Sequence, residues 1–504
     1  MHQRALVAAL SGATVALAGS VIGLGVTGSA QAADLVSPLR LTAPDKVVVT
    51  SFDGHVFSDL GIRMVAQGEK FEINATREPG VAGSGAWWDP SYDSPITATW
   101  KRASGDVDLG EMSSWRGLED FASLQVFRTD GTRIRNREIS GCFNGDGRRI
   151  GPNGPLSNPY PWGCPWNPFT LGSVMGIAQD YSAPLVGEFG APMRLRPGTY
   201  ELVASIAPDY RQTFGISDTD ATVSTQLVVK EDKRHPSAAG PQRATDNLGP
   251  VGEEPTSSSA GALEDENAPD LQALPAFAVS LNSKGTAMRF AATVWNGGAG
   301  PLIIEGFRDD RTVDHMTAYQ YYVDEHGDQT GFDQVGELHF HEGNHNHWHF
   351  EDFARYRLLA ADPADPNLPG EAVVRSTKQS FCLVATDAVD LTVPNADMRP
   401  EYTDLGSQCG NPGSLSLREV LANGHGDTYY QHRTGQAFRL GDLEDGTYFI
   451  AVEANPEDTN GRNLRELDYT NNESYRKVEL FTNAKGVRKV RAAPVGIIDE
   501  QEWR

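Results

Sequence analysis

The sequence predicts an all-β protein of two β-sandwich-like domains, related by internal duplication and joined by a flexible linker. Three observations support this prediction. Runs of β-branched and aromatic residues, separated by Gly, Pro, Asn and Asp, recur along the chain. The 504-residue length is too great for one hydrophobic core. Sequence features of the first half also recur in the second.

The N-terminal segment 1–32 is typical of a signal peptide. It has a short basic start, an apolar stretch broken by Gly and Ser, and the small-residue ending Ala30-Gln31-Ala32. We therefore expect cleavage near Ala32 and export of a chain that starts at Ala33. No other stretch reaches the roughly 18 apolar residues that a spanning helix needs, so no membrane span is expected.

Composition divides the remaining chain into four parts. Residues 33–230 form the first predicted domain. Residues 231–270 are rich in Pro, Gly, Ser, Ala and acidic residues, and they cannot bury enough apolar surface to become ordered; they are predicted to be a disordered acidic linker. Residues 271–484 form the second domain, and 485–504 a tail. Typical strand-forming runs are Lys46–Thr50, Phe71–Thr76, Gln226–Val229 and Thr447–Val452, whereas only Ser416–Leu421 suggests a short helix.

The two halves share several residues at matched offsets. The chain reads SSWRGLEDFASLQVF around Trp115 and NHWHFEDFARYRLL around Trp348. A Gly-Thr-Tyr motif ends at Tyr200 in the first half and at Tyr448 in the second, with a Pro eight residues and an Asp twenty residues after each. Each half also has a Ser-x-Cys motif and a Tyr nineteen residues before the motif tyrosine. These two further tyrosines are Tyr181 and Tyr429.

The two copies differ where chemistry is expected. Alignment on the shared Trp and Cys residues places four unlike side chains of the first copy opposite the candidate site residues of the second. The first domain is therefore predicted to be a degenerate copy without metal ligands. The opposed pairs are Met112 and His345, Ser114 and His347, Arg116 and His349, and Glu138 and Lys378.

Charge and cysteine content limit the partners and the compartment. The formal charge of −24 argues against nucleic acid or an anionic membrane as a partner, and it either favours cationic substrates or keeps a secreted protein soluble. In an oxidising compartment the four cysteines are expected to form disulfides. Proximity in sequence favours Cys142 with Cys164 and Cys382 with Cys409.

A histidine-rich run from 338 to 359 is the strongest chemical signal. Five of the twelve histidines stand at alternate positions within eleven residues: His339, His341, His345, His347 and His349. Side chains alternate along a strand, so an extended segment would place all five imidazoles on one face. Imidazole is the commonest protein ligand of zinc, copper and iron, which predicts a metal site. On a straight strand His345 and His349 would lie roughly 13 Å apart, so the chain must bend there.

Further motifs follow this run in a fixed order: TKQSFCL, GDTY ending at Tyr429, DGTY ending at Tyr448, and ELDYTNN. With the run HNHWHFEDF, they make Met288 to Val478 resemble the catalytic domain of the lysyl oxidase family, which are secreted copper amine oxidases. The family's usual cysteine within the histidine run is absent here, and Gly343-Asn344 replaces it.

The resemblance implies a role for each matching residue. His345, His347 and His349 match the copper ligands, and Lys378 and Tyr429 match the residues that cross-link into lysine tyrosylquinone. The implied reaction is oxidation of a primary amine, either a small amine or peptidyl lysine, to an aldehyde. O₂ is reduced to hydrogen peroxide, and ammonia is released.

Several alternatives remain open at this stage. The protein is a copper amine oxidase, a non-catalytic metal-binding or structural extracellular protein, or a zinc hydrolase, although no HExxH motif occurs. Tyr430, next to Tyr429, leaves the quinone tyrosine ambiguous. The candidate catalytic bases are His341, Asp352 and Asp427, while His339 and His341 are candidates for supporting the ligands or transferring protons.

Overall fold

Nearly all ordered elements are β-strands, which confirms the predicted fold class. The computed structural model describes residues 37–498 except 57–59, 82–89, 187–192, 232–252, 342–345, 377, 379, 401–405 and 458–460. Within these residues there are 35 strands, two α-helices and one 3₁₀ helix. No helix in the described part is long and apolar enough to cross a membrane. The predicted signal peptide and His345 lie outside the described residues.

The first half contains seventeen strands and two helices among the described residues. The strands are β1 (Leu39–Thr42), β2 (Lys46–Phe52), β3 (His55–Val56), β4 (Arg63–Ala66), β5 (Phe71–Thr76), β6 (Gly80–Val81), β7 (Pro90–Ser91), β8 (Ile96–Lys101), β9 (Val107–Met112), β10 (Leu118–Arg128), β11 (Arg133–Gly141), β12 (Arg148–Arg149), β13 (Gly172–Ile177), β14 (Tyr181–Pro184), β15 (Met193–Arg194), β16 (Gly198–Ile206) and β17 (Thr222–Glu231). The helices are α1 (Pro208–Phe214) and α2 (Asp218–Ala221).

The second half contains the other eighteen described strands and a 3₁₀ turn at Asp265–Asn267. The strands are β18 (Ser259–Ala260), β19 (Leu271–Ala273), β20 (Phe277–Leu281), β21 (Ala287–Asn296), β22 (Leu302–Phe307), β23 (His315–Val323), β24 (Gln329–His341), β25 (His347–Glu351), β26 (Ala354–Ala361), β27 (Pro369–Arg375), β28 (Ser380–Phe381), β29 (Asp387–Ala388), β30 (Ser416–Leu421), β31 (His425–Tyr429), β32 (Ala437–Arg439), β33 (Gly446–Ala454), β34 (Glu473–Thr482) and β35 (Arg488–Ala492).

Each half builds its core between several sheets. In the first half the sheet orders are β1-β4-β14-β12, β11-β10-β16-β17-β2-β3-β15 and β13-β5-β8-β9. In the second they are β28-β25-β24-β23-β22-β30, β19-β21-β31-β29 and β27-β26-β33-β34-β35. Buried apolar side chains from the sheets of each half meet in a large cluster of their own. The histidine-rich run and the candidate tyrosine therefore belong to different sheets that share one core.

The repeated motifs occupy equivalent places in the two halves. Strand β10 pairs with β16, and β26 pairs with β33. Ala122 lies opposite Ile206, and Ala354 lies opposite Ala454. Both pairs involve the repeated alanine and the residue six positions after the repeated Gly-Thr-Tyr tyrosine. The strand register is therefore the same in both halves, which supports duplication.

Local conformation is also repeated. Asp120 and Asp352, which occupy the same position in the shared Glu-Asp-Phe-Ala motif, have left-handed backbone angles of φ 49° and 56°. The Tyr200 hydroxyl donates a hydrogen bond of 2.9 Å to the carbonyl four residues earlier, and the Tyr448 hydroxyl does the same at 2.8 Å. These tyrosines fasten the start of each strand to the preceding turn.

The two halves share a buried interface. A separate apolar cluster combines Tyr92 and Phe169 of the first half with residues of the second that include Phe277. Backbone hydrogen bonds also cross between the halves, from Leu171 N–H to the Val389 carbonyl at 2.7 Å and from Tyr92 N–H to the Val495 carbonyl at 2.8 Å. The described parts of the two halves therefore pack directly against each other.

Both predicted disulfides are present. Cys142 bonds to Cys164 and Cys382 bonds to Cys409, with Cα–Cα distances of 5.9 and 5.7 Å. Each cross-link lies within one half, as proximity in sequence indicated.

Part of the predicted disordered linker is ordered, which corrects the boundary at 270. Within 253–270, β18 pairs with β24, and the Tyr319 hydroxyl donates to Glu254 at 3.2 Å. An added edge strand needs mainly backbone hydrogen bonds, so a composition poor in large apolar residues does not prevent it. Residues 232–252 lie outside the described residues.

Two smaller predictions are wrong. Ser416–Leu421 is a strand, β30, rather than a short helix, because pairing with β22 buries Leu417, Val420 and Leu421. The predicted tail takes part in the fold: β35 extends the sheet next to β34, and Val495 is buried in the interface between the halves.

Phe169→Ala is expected to lower the free energy of unfolding by about 3–5 kcal/mol, because it removes a fully buried ring and leaves a cavity. The ring contacts Tyr92 and Phe277, with centroid distances of 4.9 and 5.9 Å. Urea unfolding followed by tryptophan fluorescence measures the change. Leu156→Ala, at a side chain that is 92% exposed, is the control and should change stability by less than about 0.5 kcal/mol. Equal stability of the two variants would contradict the interface.

Candidate functional site

The histidine-rich run forms a β-hairpin from β24 and β25. In the antiparallel register His339 lies opposite His349, and His341 lies opposite His347. Cross-strand partners project from the same face of a sheet, so these four imidazoles share one face. The alternating residues form the opposite face, where Leu338, Trp348 and Phe350 are fully buried. Alternation of polar and apolar residues thus fixes which face carries the histidines.

The hairpin supplies the bend that a shared ion requires. The chain reverses between β24 and β25, as a shared ion would require. Ring centroids of His341 and His349 lie 4.3 Å apart, and those of His347 and His349 lie 4.8 Å apart. His345 lies outside the described residues.

Ser380, on the neighbouring strand β28, connects two of the histidines. Its hydroxyl lies 3.1 Å from His341 Nε2 and 3.3 Å from His349 Nδ1. His349 is only 3% exposed, since this strand covers it. Desolvation, and after it the nearby positive charge of Lys378, lowers the pKa of His341. A lowered pKa favours the neutral imidazole, which is the form that binds a metal.

Lys378 lies in a short non-strand segment just before Ser380. Its backbone N–H donates to the Ser376 hydroxyl at 3.2 Å, and that hydroxyl donates to the Gly435 carbonyl at 2.7 Å. The Lys378 side chain is 8% exposed, and its Nζ donates to the Ser380 carbonyl at 3.1 Å. This amine lies 4.4 Å from the ring centroid of Tyr429. The structure therefore brings together the two residues that the resemblance pairs.

Tyr429 is the last residue of strand β31. Successive side chains along a strand lie on opposite faces, so Tyr429 and Tyr430 have different surroundings. The Tyr429 ring contacts Phe381 edge-on at 4.9 Å, and its hydroxyl donates to the Cys382 carbonyl at 2.9 Å. Tyr430 instead stacks on Trp166 of the first half, with a centroid distance of 5.8 Å. Of the two tyrosines, Tyr429 is the one against which Lys378 packs.

Burial strongly shifts the acid–base properties of this site. Desolvation lowers the pKa of Lys378 to about 8, with Arg433 lowering it further and Asp427 opposing the shift. Burial also raises the pKa of Asp427 well above its ordinary range. The pKa of Tyr429 is raised as well, first by burial and then by the charge of Asp427. Lysine, aspartate and tyrosine therefore form one electrostatically coupled group.

Asp427 is the proposed base that lies within this group. Its Oδ2 atom is buried and has no hydrogen-bond partner among the described residues. His341 instead contacts Ser380 on the histidine face. Asp352 has the left-handed backbone of the repeated motif.

The donor set of the hairpin fits a metal ion that prefers imidazole. Metal–nitrogen bonds of about 2.0–2.1 Å place the rings of neighbouring ligands roughly 4.5–5 Å apart, close to the separations around His349. The described histidines of the hairpin do not bring three ligand atoms within 4.8 Å of one another; among the described residues, only the group of Cys382, Cys409 and Glu419 does. Its sulfur atoms are bonded to each other, and metal binding requires a thiolate, so this group is not a metal site.

The first half lacks an equivalent site. Residues 33–230 contain a single histidine, His55. Glu138, which aligns with Lys378, is exposed and accepts a hydrogen bond from Asn136. Tyr181, which aligns with Tyr429, donates its hydroxyl hydrogen bond to the Pro155 carbonyl at 2.8 Å. In the first half, the repeated tyrosine therefore supports a loop.

Sequence reasoning missed the supporting roles of Ser380 and Gly435. Ser380 was visible within the TKQSFCL motif, but its contact with two histidines depends on strand pairing. Gly435 has φ +87°, and a Cβ atom there would lie 2.8 Å from Lys378 Cβ. Only a glycine fits this close approach, and no local sequence pattern indicated it.

The comparisons with known proteins do not assign the chain to a family. A scan against models of protein families finds no match, and a search of curated proteins finds no relative. The geometry of the site therefore carries the functional argument.

The copper-free protein should contain one lysine that titrates near pH 8, since burial disfavours the charged amine of Lys378. ¹³C NMR of lysine Cε groups across pH 6–11 measures this. The signal should be absent from Lys378→Met and present in Lys70→Met, a control at a lysine whose side chain is 53% exposed. A spectrum without such a signal would contradict the desolvated environment.

Proposed function

We propose that the protein is a secreted copper-dependent amine oxidase. It converts a primary amine, O₂ and water to an aldehyde, hydrogen peroxide and ammonia. The observation that carries the proposal is the position of the Lys378 amine, buried and 4.4 Å from the Tyr429 ring centroid. An isolated lysine is rarely buried without an acidic partner in direct contact, so a chemical role accounts for this placement.

The proposed copper ligands are His345, His347 and His349. Of these, His347 and His349 lie together on the hairpin face. His341, which stacks on His349, is available either as a ligand or as a support of the ligand set. Imidazole donors suit Cu(II), and at the copper site the ion would promote oxidation of the nearby tyrosine ring.

Lys378 and Tyr429 are the proposed precursors of lysine tyrosylquinone. The cross-linked group, once formed, supplies a carbonyl electrophile that accepts two electrons from the amine substrate. A lysine pKa of about 8 leaves a larger neutral fraction near neutral pH than an ordinary lysine has. The neutral amine is the nucleophilic form, so burial prepares Lys378 for bond formation to the tyrosine ring.

Asp427 is the proposed general base that removes a proton from the α-carbon of the substrate. It is close enough to Lys378 and Tyr429 to shift the pKa of both groups. A raised pKa makes the carboxylate a stronger base, which suits proton abstraction. Its unpartnered Oδ2 atom leaves an acceptor available within the site.

The compartment and charge fit this activity. Two disulfides are consistent with an oxidising environment, and the predicted signal peptide accounts for export. The net charge of −24 favours approach of cationic amines.

A second candidate function is a non-catalytic extracellular protein that binds copper or serves a structural role. The first half supports this second candidate. Tyr181 aligns with Tyr429 there, and its hydroxyl donates a hydrogen bond to a loop carbonyl. The Tyr429 hydroxyl likewise donates to a backbone carbonyl. Detection of the quinone separates the two candidates.

Phenylhydrazine should label copper-loaded protein with about one equivalent per chain, and amine-dependent peroxide release should accompany the labelling. Lys378→Ala and Tyr429→Phe should each abolish the label while copper content, measured by atomic absorption, is retained. Lys378→Ala removes the amine nitrogen that would bond to the ring, and Tyr429→Phe removes the phenolic oxygen that would become a quinone carbonyl.

Asp427→Asn provides the matched control for this experiment. It should retain copper and the label but reduce amine turnover by roughly 10²–10⁴-fold, because it removes only the base. If the unmodified protein bound copper but gave neither the label nor peroxide, the amine oxidase proposal would be wrong and the non-catalytic candidate would be favoured. Full labelling of Lys378→Ala would show that the cofactor assignment is wrong.

Gly435→Ala should reduce phenylhydrazine labelling at least several-fold without loss of copper, because the added methyl group displaces Lys378 from the tyrosine. The control is Gly441→Ala. Both glycines have positive φ, +87° and +50°, but a Cβ atom at Gly441 meets nothing within 4 Å. Gly441→Ala should carry a similar cost of backbone strain and should still be labelled by phenylhydrazine. Equal labelling of both variants would argue against a positioning role of Gly435.

A further inference from the structure

The row of histidines continues beyond the hairpin onto β23. His315 lies opposite His339, which in turn lies opposite His349, so three imidazoles occupy successive strands of one sheet face. The ring centroids of His315 and His339 are 6.0 Å apart. The proposed amine oxidase site includes His349, at the inner end of this row. His315 and His339, at the outer end, have no role in that proposal.

Two carboxylates lie beside His339, one member of the outer histidine pair. Glu337 Oε2 lies 3.0 Å from His339 Nε2, and Glu351 Oε2 lies 3.8 Å from the same nitrogen. The four side chains are 33–54% exposed, in contrast to His349, which is 3% exposed. An ion in solution therefore reaches these groups directly.

We propose that His315, His339, Glu337 and Glu351 form a second, solvent-accessible site for a divalent copper or zinc ion. Two imidazoles and two carboxylates are ordinary ligands for either ion. The four groups come from three adjacent strands, whose hydrogen-bonded register fixes the spacing of their backbones.

The site needs only side-chain adjustment to bind. Rings on one ion are roughly 4.5–5 Å apart, so His315 must move towards His339 by about 1 Å. Exposed side chains change rotamer at little cost, whereas the inner histidines are held by Ser380. We therefore expect weaker binding at the outer site than at the inner one. The competing explanation is that His339 and its two carboxylates form a surface ion pair that binds no metal. Such a pair would contribute little to the stability of the fold.

Titration of the copper-free full-length protein with Cu(II), followed by calorimetry and electron paramagnetic resonance, tests the proposal. The unmodified protein should bind two ions with distinct spectra. The double variant His315→Ala/His339→Ala should lose the weaker ion and its spectrum, and keep the tighter one. The double variant His347→Ala/His349→Ala should show the converse, so failure of the outer site and failure of the proposed catalytic site are distinguishable.

His326→Ala is the matched control. His326 is 74% exposed and lies 3.7 Å from Glu325, but it has no second histidine across the sheet among the described residues. Removing it should leave two bound ions. The proposal would be overturned if the outer double variant lost no ion, or if His326→Ala also lost the weaker ion. A single ion that only the outer double variant loses would instead count against the inner site.

Discussion

The register of the β24–β25 hairpin is the constraint on which the site depends. Side chains alternate along each strand, so a slip of one residue would place the histidines in the core and Trp348 in solvent. Burial of Trp348 excludes that slip. Its indole N–H donates to the Asn411 carbonyl at 2.9 Å, and its backbone N–H donates to the Cys409 carbonyl at 2.9 Å. Cys409 is bonded to Cys382, which lies two residues after Ser380 and four after Lys378 in sequence. One disulfide therefore links the histidine hairpin to the lysine segment.

The duplicated architecture explains how this site is supported. Both halves use the same strand register around the repeated motifs, but only the second has histidines on the exposed face. The first half packs against the back of the tyrosine strand. Asn167 Nδ2 donates to Asp387 at 2.6 Å and lies 3.5 Å from the Thr428 hydroxyl, next to Tyr429. A copy without catalytic groups thereby shields one face of β31 from water.

Sequence patterns predicted the features that depend on local periodicity and composition. The strand class, the disulfide pairs and the grouping of histidines follow from alternation and spacing. The apolar spacing of Ser416–Leu421 fits a helix, which is why a helix was expected there. The segment is a strand instead, because pairing with β22 buries the same side chains. The order of 253–270 depends on an available sheet edge, and the contacts of Ser380 and Gly435 depend on strands distant in sequence. None of these is encoded locally.

The burial of Lys378 has an energetic consequence that favours a chemical role. Its pKa falls from the ordinary 10.5 to about 8 in the folded protein, which corresponds to a destabilisation on the order of 3 kcal/mol at neutral pH. Between these two values the unfolded chain retains a proton that the folded chain has lost, so stability rises with pH through this window. A methionine would fill the same volume without this cost. Bonding of Nζ to the tyrosine ring, as in the proposed cofactor, would remove the ammonium charge and with it the destabilisation. The mature site would then be more stable than its precursor, which makes cofactor formation a step that completes folding as well as one that creates reactivity.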